Sequence, residues 1–337
     1  MKKFRKYLAI LAVLAMVFGL VACGTTTTDT TTDTTTDTTT TTDAAVSLTM
    51  GTGGSSGTYY SFGNVLAGYM ADKSGASVNV VSTDGSAANI FNIDDGVNHL
   101  ATVQSDVMSY AWDGIKSFED DGKIDSFRVI GGLYEETVQI VTLRDDIKTV
   151  ADLKGKAVSI GAPGSGVYFN AMDILGIYGI AETDIKAEYL SFGDSTDAMK
   201  DGKIDAAFIV AGAPTPAITD LSATNAVRLV SMDDDKISQL MANSPFYTKS
   251  VLDASTYNMA DSANTVSVKA TMIVSADLSD DVVYNLTAGI YDNIDAITAA
   301  HAKGAELSLD NAVSGMTVPF HAGAAKYFAD NGIDVAK

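Results

Sequence analysis

A strand–glycine loop–helix pattern occurs twice along the chain, and this duplication limits the possible fold more than any other feature. The first copy reads Gly51-Thr-Gly-Gly-Ser-Ser-Gly-Thr-Tyr-Tyr60 and the second Gly161-Ala-Pro-Gly-Ser-Gly-Val-Tyr-Phe-Asn170, 110 positions later. At that offset Gly51 matches Gly161, Gly54 matches Gly164 and Ser55 matches Ser165; an aromatic follows four residues on in each, Tyr59 and Phe169. A short apolar-alternating run precedes each loop (46–50 and 157–160), and a helix-like stretch follows. Such a turn presents backbone N–H groups at a helix N-terminus, where the helix dipole favours an anion. Two of these turns predict two lobes that close on one small anionic ligand.

The repeat extends beyond the loops. Residues 78–82 read as a strand, 86–95 as a helix and 99–103 as a strand; 187–191, 194–201 and 204–210 give the same order again. Ser82 matches Ser191, and Asp95-Gly96 matches Asp201-Gly202. Alternating βα units predict mostly parallel sheets covered by helices, here an α/β clamshell of two similar lobes. Two β-rich runs, Thr137-Val-Gln-Ile-Val-Thr-Leu143 and Thr265-Val-Ser-Val-Lys-Ala-Thr-Met-Ile-Val274, are the expected crossovers. Lobe I is therefore expected at 46–138 and 270–337, and lobe II is an insertion at 139–269 joined by two hinge strands. After the second crossover Ser279 is expected to cap a long helix that places Val282, Leu286, Ile290, Ile294 and Ile297 on one face. The tail with Pro319 and His321 is expected to pack back onto lobe I.

The N-terminus has a different character. Met1-Lys-Lys-Phe-Arg-Lys6 is followed by an apolar run to Ala22, a basic n-region and an h-region too short to span a bilayer comfortably. It ends Leu20-Val21-Ala22-Cys23-Gly24, which resembles a bacterial lipobox, so residues 1–22 are read as a signal peptide and Cys23 as the lipid-modified N-terminus. Residues 25–43 are only Thr and Asp, a composition with no apolar surface to offset chain entropy; 23–45 is therefore expected to be a lipidated, disordered linker. The protein is thus expected outside the cytoplasm, anchored to the membrane. The net charge is −20, and −24 without the four basic residues of the leader. Such a surface argues against nucleic acid as a partner. Cys23 is the only cysteine, so no thiol remains for redox chemistry once it is acylated.

Seven segments together resemble the TAXI-type solute-binding receptors of tripartite ATP-independent periplasmic (TRAP) transporters. They are 51–62, Val103-Gln-Ser-Asp106, Val150-Ala-Asp-Leu-Lys-Gly-Lys156, 161–166, Tyr189-Leu-Ser-Phe192, 201–208 and Ala211-Gly-Ala-Pro-Thr215. Their order and spacing agree with that family from about Ser47 to the C-terminus. The resemblance implies a type II periplasmic-binding-protein fold and TRAP permease subunits as partners, driven by an ion gradient. It also implies a small carboxylate ligand, glutamate-like or a dicarboxylate. Two departures stand out: Thr83-Asp84-Gly85-Ser86 carries an acid where the family has glycine, and Tyr134-Glu135-Glu136 lacks the family's proline. An Asp84 that faced the cleft would disfavour a second ligand carboxylate or favour a ligand ammonium.

The expected ligand contacts follow from the loops. N–H groups and hydroxyls of Gly54, Ser55, Gly164, Ser165 and Gly166 are expected to hold one carboxylate from both sides, since glycine admits close backbone approach. Outside the leader the only arginines are Arg128, Arg144 and Arg228, none of them in a glycine loop, so helix dipoles and amides must supply the positive potential. Tyr59 is expected as a cleft wall. Gln104, Ser105 and Asp106 sit at a strand's C-terminal end, where open α/β sheets bind ligands, although Asp106 would equally serve as a helix N-cap. Thr83, Ser86 and Asn89 belong to the next βα turn, while Asn170, Ser191 and Gly212 are the lobe II candidates. Trp112 reads as core.

Other chemistries fit less well. Gly53-Gly54-Ser55-Ser56-Gly57 matches the Gly-x-Ser-x-Gly elbow of serine hydrolases, with His99, His301 and His321 as nominal partners. That elbow follows a strand deep in the hydrolase sheet, whereas here it follows the first strand. Neither glycine loop has a phosphate-loop lysine, no dinucleotide fingerprint is complete, and no His/Cys cluster forms a metal site. The reading is a binding protein without enzymatic activity, cofactor or metal. Its alternative is the ligand-binding component of a sensor, which needs the same clamshell.

Overall fold

The computed structural model describes residues 46–337. The expected signal peptide, the Cys23 lipid site and the Thr/Asp linker lie outside the described residues. From β1 (Ser47–Gly51) the chain alternates strand and helix: α1 (Thr58–Ser74), β2 (Ser77–Val81), α2 (Ser86–Asp94), β3 (Leu100–Gln104) and α3 (Ser105–Asp113). The long strand β4 (Phe127–Thr142) leads into a second series: β5 (Ala157–Ser159), α4 (Val167–Ile177), β6 (Lys186–Glu188), α5 (Phe192–Lys200), β7 (Ala206–Ala211), α6 (Pro216–Ser222) and β8 (Arg228–Leu229). After α7 (Asp234–Asn243) and β9 (Thr248–Leu252), strand β10 (Ala263–Ser275) returns to the first half. Four helices finish the chain: α8 (Asp280–Tyr291), α9 (Ile294–Ala300), α10 (Leu309–Val313) and α11 (Ala322–Asp330).

Strand pairing makes the duplication explicit. Lobe I is ordered β2-β1-β3-β10-β4 and lobe II β6-β5-β7-β4-β8. In each, the fourth strand alone is antiparallel, and in each it arrives from the other half: β10 between β3 and β4, and β4 between β7 and β8. Thr137 of β4 marks the changeover, since it pairs with Ser267 on one side and Ala211 on the other. Register shifts between Lys269 and Thr271 and between Met272 and Ile273 bend the shared ladder there, as bulges do. The expected boundaries at 138/139 and 269/270 fall inside these two strands. The architecture is the α/β one that the sequence predicts, two lobes of like strand order joined by two hinge strands.

Each lobe has its own apolar centre. Lobe I packs Leu48, Phe62, Leu66, Ile90 and Phe127 with Leu286 and Phe328 of the C-terminal helices, and lobe II packs Val158, Ile174, Leu175 and Phe208. Burying each such side chain contributes about 2 kcal/mol. The C-terminal tail lies on lobe I as expected: Val129 N–H donates to Pro319 O (3.0 Å) and His321 N–H to Val129 O (2.9 Å). Ser279 caps its helix by accepting from Val282 N–H. The long helix expected after it is two helices, α8 and α9. Asn293 leaves helical geometry at φ −116°, and its side chain turns back to donate to Gly289 O at 3.0 Å. Leu286, Ile290 and Ile297 are buried as expected, whereas Val283 takes the fully buried position next to the half-buried Val282.

Candidate functional site

The loops after β1, β2, β5 and β6 leave the C-terminal ends of parallel strands and meet between the lobes around a cavity of about 600 Å³. Eight of the expected residues line it: Gly54, Ser55, Tyr59, Thr83, Ser86 and Gln104 from lobe I, and Ser165 and Gly166 from lobe II. Ser191, also expected, lines it too, and Asp84 does so from the β2–α2 turn.

Three helices point uncapped or partly capped N-termini at this space. Gly57 at the start of α1 and Gly166 at the start of α4 make no side-chain cap, and both line the cavity. The N–H groups of Gly54, Ser55 and Ser56 have no partner among the described residues. Helix α5 is capped by Ser191, whose Oγ accepts from Asp194 N–H at 3.2 Å and donates to the Asp194 carboxylate at 2.6 Å. Gly54, Ser55 and Gly166 of the two glycine loops thus line one cavity.

Gly164 is placed differently. At φ +84° its carbonyl turns toward lobe I and accepts from Ala87 N–H (3.0 Å) and Ala88 N–H (3.1 Å), so it caps α2 from across the cleft. It joins the lobes and does not line the cavity. Other expected residues also lie outside the lining. Asn89 is buried and donates to Thr52 O (2.6 Å) and Thr102 O (2.8 Å), tying two strand ends together. Ser105 is the buried first residue of α3. Asp106 lies within the first turn of α3 and accepts from Val107 N–H, which removes the N-cap reading; its other oxygen accepts from Asn170 of lobe II at 3.0 Å. The Gly212 carbonyl accepts from Thr58 Oγ1 at 2.6 Å, again across the lobes. With Ala217 N–H donating to Ser56 O (3.1 Å) and Lys116 paired to Asp173 (3.2 Å), these contacts hold the clamshell closed.

At the cavity floor lies a residue the sequence reading did not select. Glu136 on β4 is 2% exposed and accepts from Tyr59 Oη at 2.7 Å. Burial pushes its carboxyl well above the ordinary range, and Asp106 adds to the rise, while the bonds from Tyr59 and Gln104 oppose it. The same burial, together with the carboxylate, raises the Tyr59 phenol. Beside Glu136 sit Gln104, 2% exposed, and Ser165, 7% exposed; Gln104 Oε1 and Ser165 Oγ have no hydrogen-bond partner. The signal for Glu136 was a pair of acids, Glu135-Glu136, within a β-rich run, since buried carboxylates are rare enough to need a reason. The lining carries Asp84, Glu136, Asp194 and Asp197 and no lysine, arginine or histidine.

The nominal hydrolase partners lie elsewhere. His99 Nδ1 accepts from Thr49 N–H, His321 Nδ1 accepts from Gly323 N–H, and His301 pairs with Ser61. None of them lines the cavity beside Ser55. Trp112 packs on Phe127 at the edge of the lobe I core.

A model of the NMT1-like family matches residues 50–332. Among solved structures, a protein of Bordetella bronchiseptica RB50 is 15% identical with a TM-score of 0.53, covering 84% of this chain and 89% of that one. The alkanesulfonate-binding protein SsuA from Xanthomonas axonopodis pv. citri, bound to MOPS, is 15% identical over 86% of this chain and 92% of its own, with a TM-score of 0.48. A putative L-cystine ABC transporter from Listeria monocytogenes is 16% identical over 78% and 98%, with a TM-score of 0.49. At these identities the likeness is one of fold.

Proposed function

The chain belongs to the NMT1-like family, and from that premise we propose that it is the solute-binding component of a membrane transporter. It captures a small molecule between its lobes by closing about β4 and β10, and presents the closed form to a membrane partner. The observation that carries this reading is the cavity itself. It lies where two lobes meet and is lined by the duplicated glycine loops, at the strand ends where open α/β sheets bind small molecules.

The finer reading follows the sequence. The protein is delivered outside the cytoplasm and anchored through Cys23, and its partner is a TRAP permease. A carboxylate of the solute sits at the N–H groups of Gly54, Ser55 and Gly166, where three helix N-termini supply positive potential without an arginine. A thermal-shift screen of the purified protein against amino acids, dicarboxylates, keto acids and amines tests the binding role. At a hundredfold excess over Kd a ligand stabilises by about 2.7 kcal/mol, a rise in Tm of about 5 °C. Ser165→Trp fills the cavity from the lobe II side and is expected to abolish the shift while the unliganded Tm stays within about 2 °C of wild type. An unchanged affinity in that variant, measured by calorimetry, removes the interlobe cavity as the site.

A further inference from the structure

Resting on the solute-binding reading, we infer that the cavity floor receives a protonated nitrogen of the solute, an ammonium, amidinium or guanidinium group set against Glu136. The ligand class is then a small organic cation or zwitterion, not a dicarboxylate.

The lining is rich in acids and holds no basic side chain. Glu136 is a buried carboxylate on the hinge strand, with one oxygen bonded to Tyr59 Oη. Gln104 Oε1 on this lobe and Ser165 Oγ on the opposite lobe have no protein partner. Glycine at position 166 brings the lobe II backbone onto this point: a Cβ there would fall 1.7 Å from Gln104 Oε1. Glu136 thus stands in the lining with no basic side chain beside it, and a ligand N–H group fills that place.

Charge points the same way. Of the four acids in the lining, Asp194 is bonded to Ser191 and Asp197 is paired to Lys200 at 3.1 Å. Asp84 at the rim has no cationic partner among the described residues, nor does the lining supply a basic side chain for Glu136. A ligand cation set there favours the ionised form of Glu136 that burial alone opposes, whereas a second ligand carboxylate only adds to that opposition. A cation there is attracted by both acids. The helix N-termini at the other end remain free for an anionic group, so zwitterions fit as well as cations.

Isothermal calorimetry at pH 7.5 with arginine, putrescine, glutamine, glutamate, succinate and glutarate tests the assignment. The nitrogen-bearing solutes are expected to include the tight binders. Glu136→Gln keeps an acceptor for Tyr59 and is expected to weaken the best of them about tenfold or more. Asp84→Asn, at an exposed position that leaves folding untouched, is expected to weaken it about threefold. Tight binding of succinate or glutarate alone overturns the inference and leaves the solute-binding reading standing. An affinity for the nitrogen-bearing solute that neither substitution changes also overturns it. A panel in which no solute of either charge binds overturns both.

Discussion

Asp106 lies wholly buried on α3, and burial raises its carboxyl to about 6 against the opposing bonds from Val107 N–H and Asn170; Asp173 adds to the rise and Lys116 opposes it. A folded-state value above the unfolded one means that the native protein holds this proton more tightly. The associated stability is fully present below about pH 4 and is lost as pH climbs through 6. Asp106→Asn removes the titration. The stability difference, variant minus wild type, is expected to grow by up to about 3 kcal/mol between pH 4 and pH 6 and then level off, as urea denaturation at pH 4, 5, 6 and 7 would record. A pH-independent loss of about 1 kcal/mol underlies it, because the amide offers one acceptor where the carboxylate serves both Asn170 and Val107. Gly166→Ala is the second test at this scale: its Cβ must displace Gln104, at a cost of about 1–3 kcal/mol in stability and with a loss of solute affinity, read together by thermal melt and calorimetry. Ser165 and Gly166 were legible because a glycine-serine loop after a strand has few other uses. Gln104 was legible because it ends a strand that points at the cleft. Asn89, Asp106 and Asn170 carried the same outward signal, a polar residue near a strand end. A sequence does not say which neighbour will meet such a group, and here protein groups bind Asn89, Asp106 and the Asn170 amide nitrogen. Glu136 failed for the opposite reason: it lies just before the run 137–143 that reads as crossover, and the Glu135-Glu136 pair does not say which of the two acids turns into the cleft.

At the scale of elements, the expected strands and helices of both repeats appear within a few residues of their predicted ends, because period and glycine punctuation are local signals. The break between α8 and α9 was not legible: the apolar spacing from Leu286 to Ile297 continues across it, and only the side-chain bond from Asn293 to Gly289 stops the first helix. The closing contacts between elements were equally hidden, since they join residues far apart in the chain. One of them is open to direct test. Lys116, after α3, pairs with Asp173 on α4 and lies over the rings of Tyr110 (4.1 Å) and Phe169 (5.8 Å), so it touches lobe II only in the closed form. Lys116→Met keeps the aliphatic stem and removes the charge. A half-exposed pair of this kind contributes about 0.5–1 kcal/mol to closure. Calorimetry is therefore expected to show a two- to fivefold loss of apparent solute affinity with the Tm of the unliganded protein nearly unchanged. An equal affinity would mean that this pair does not bias closure.

For the molecule as a whole, the exchange of antiparallel strands is the defining fact. Lobe I takes β10 and lobe II takes β4, each from a chain segment that belongs equally to the other half, so the lobes are tied at two adjacent strands and free to rotate elsewhere. The duplication legible in the glycine loops reaches its full meaning here, because the same strand order is built twice and the two loop sets face each other. Bound solute stabilises the closed form only through contacts that both lobes make to it, and the cavity provides these from Gln104 and Tyr59 on one side and Ser165 and Gly166 on the other. Small-angle X-ray scattering, with and without a saturating concentration of the solute that binds most tightly, tests this most directly. The account predicts a smaller radius of gyration and a shorter maximum dimension on addition of solute, with Ser165→Trp showing no change. A radius that stays constant while calorimetry records full occupancy would contradict it.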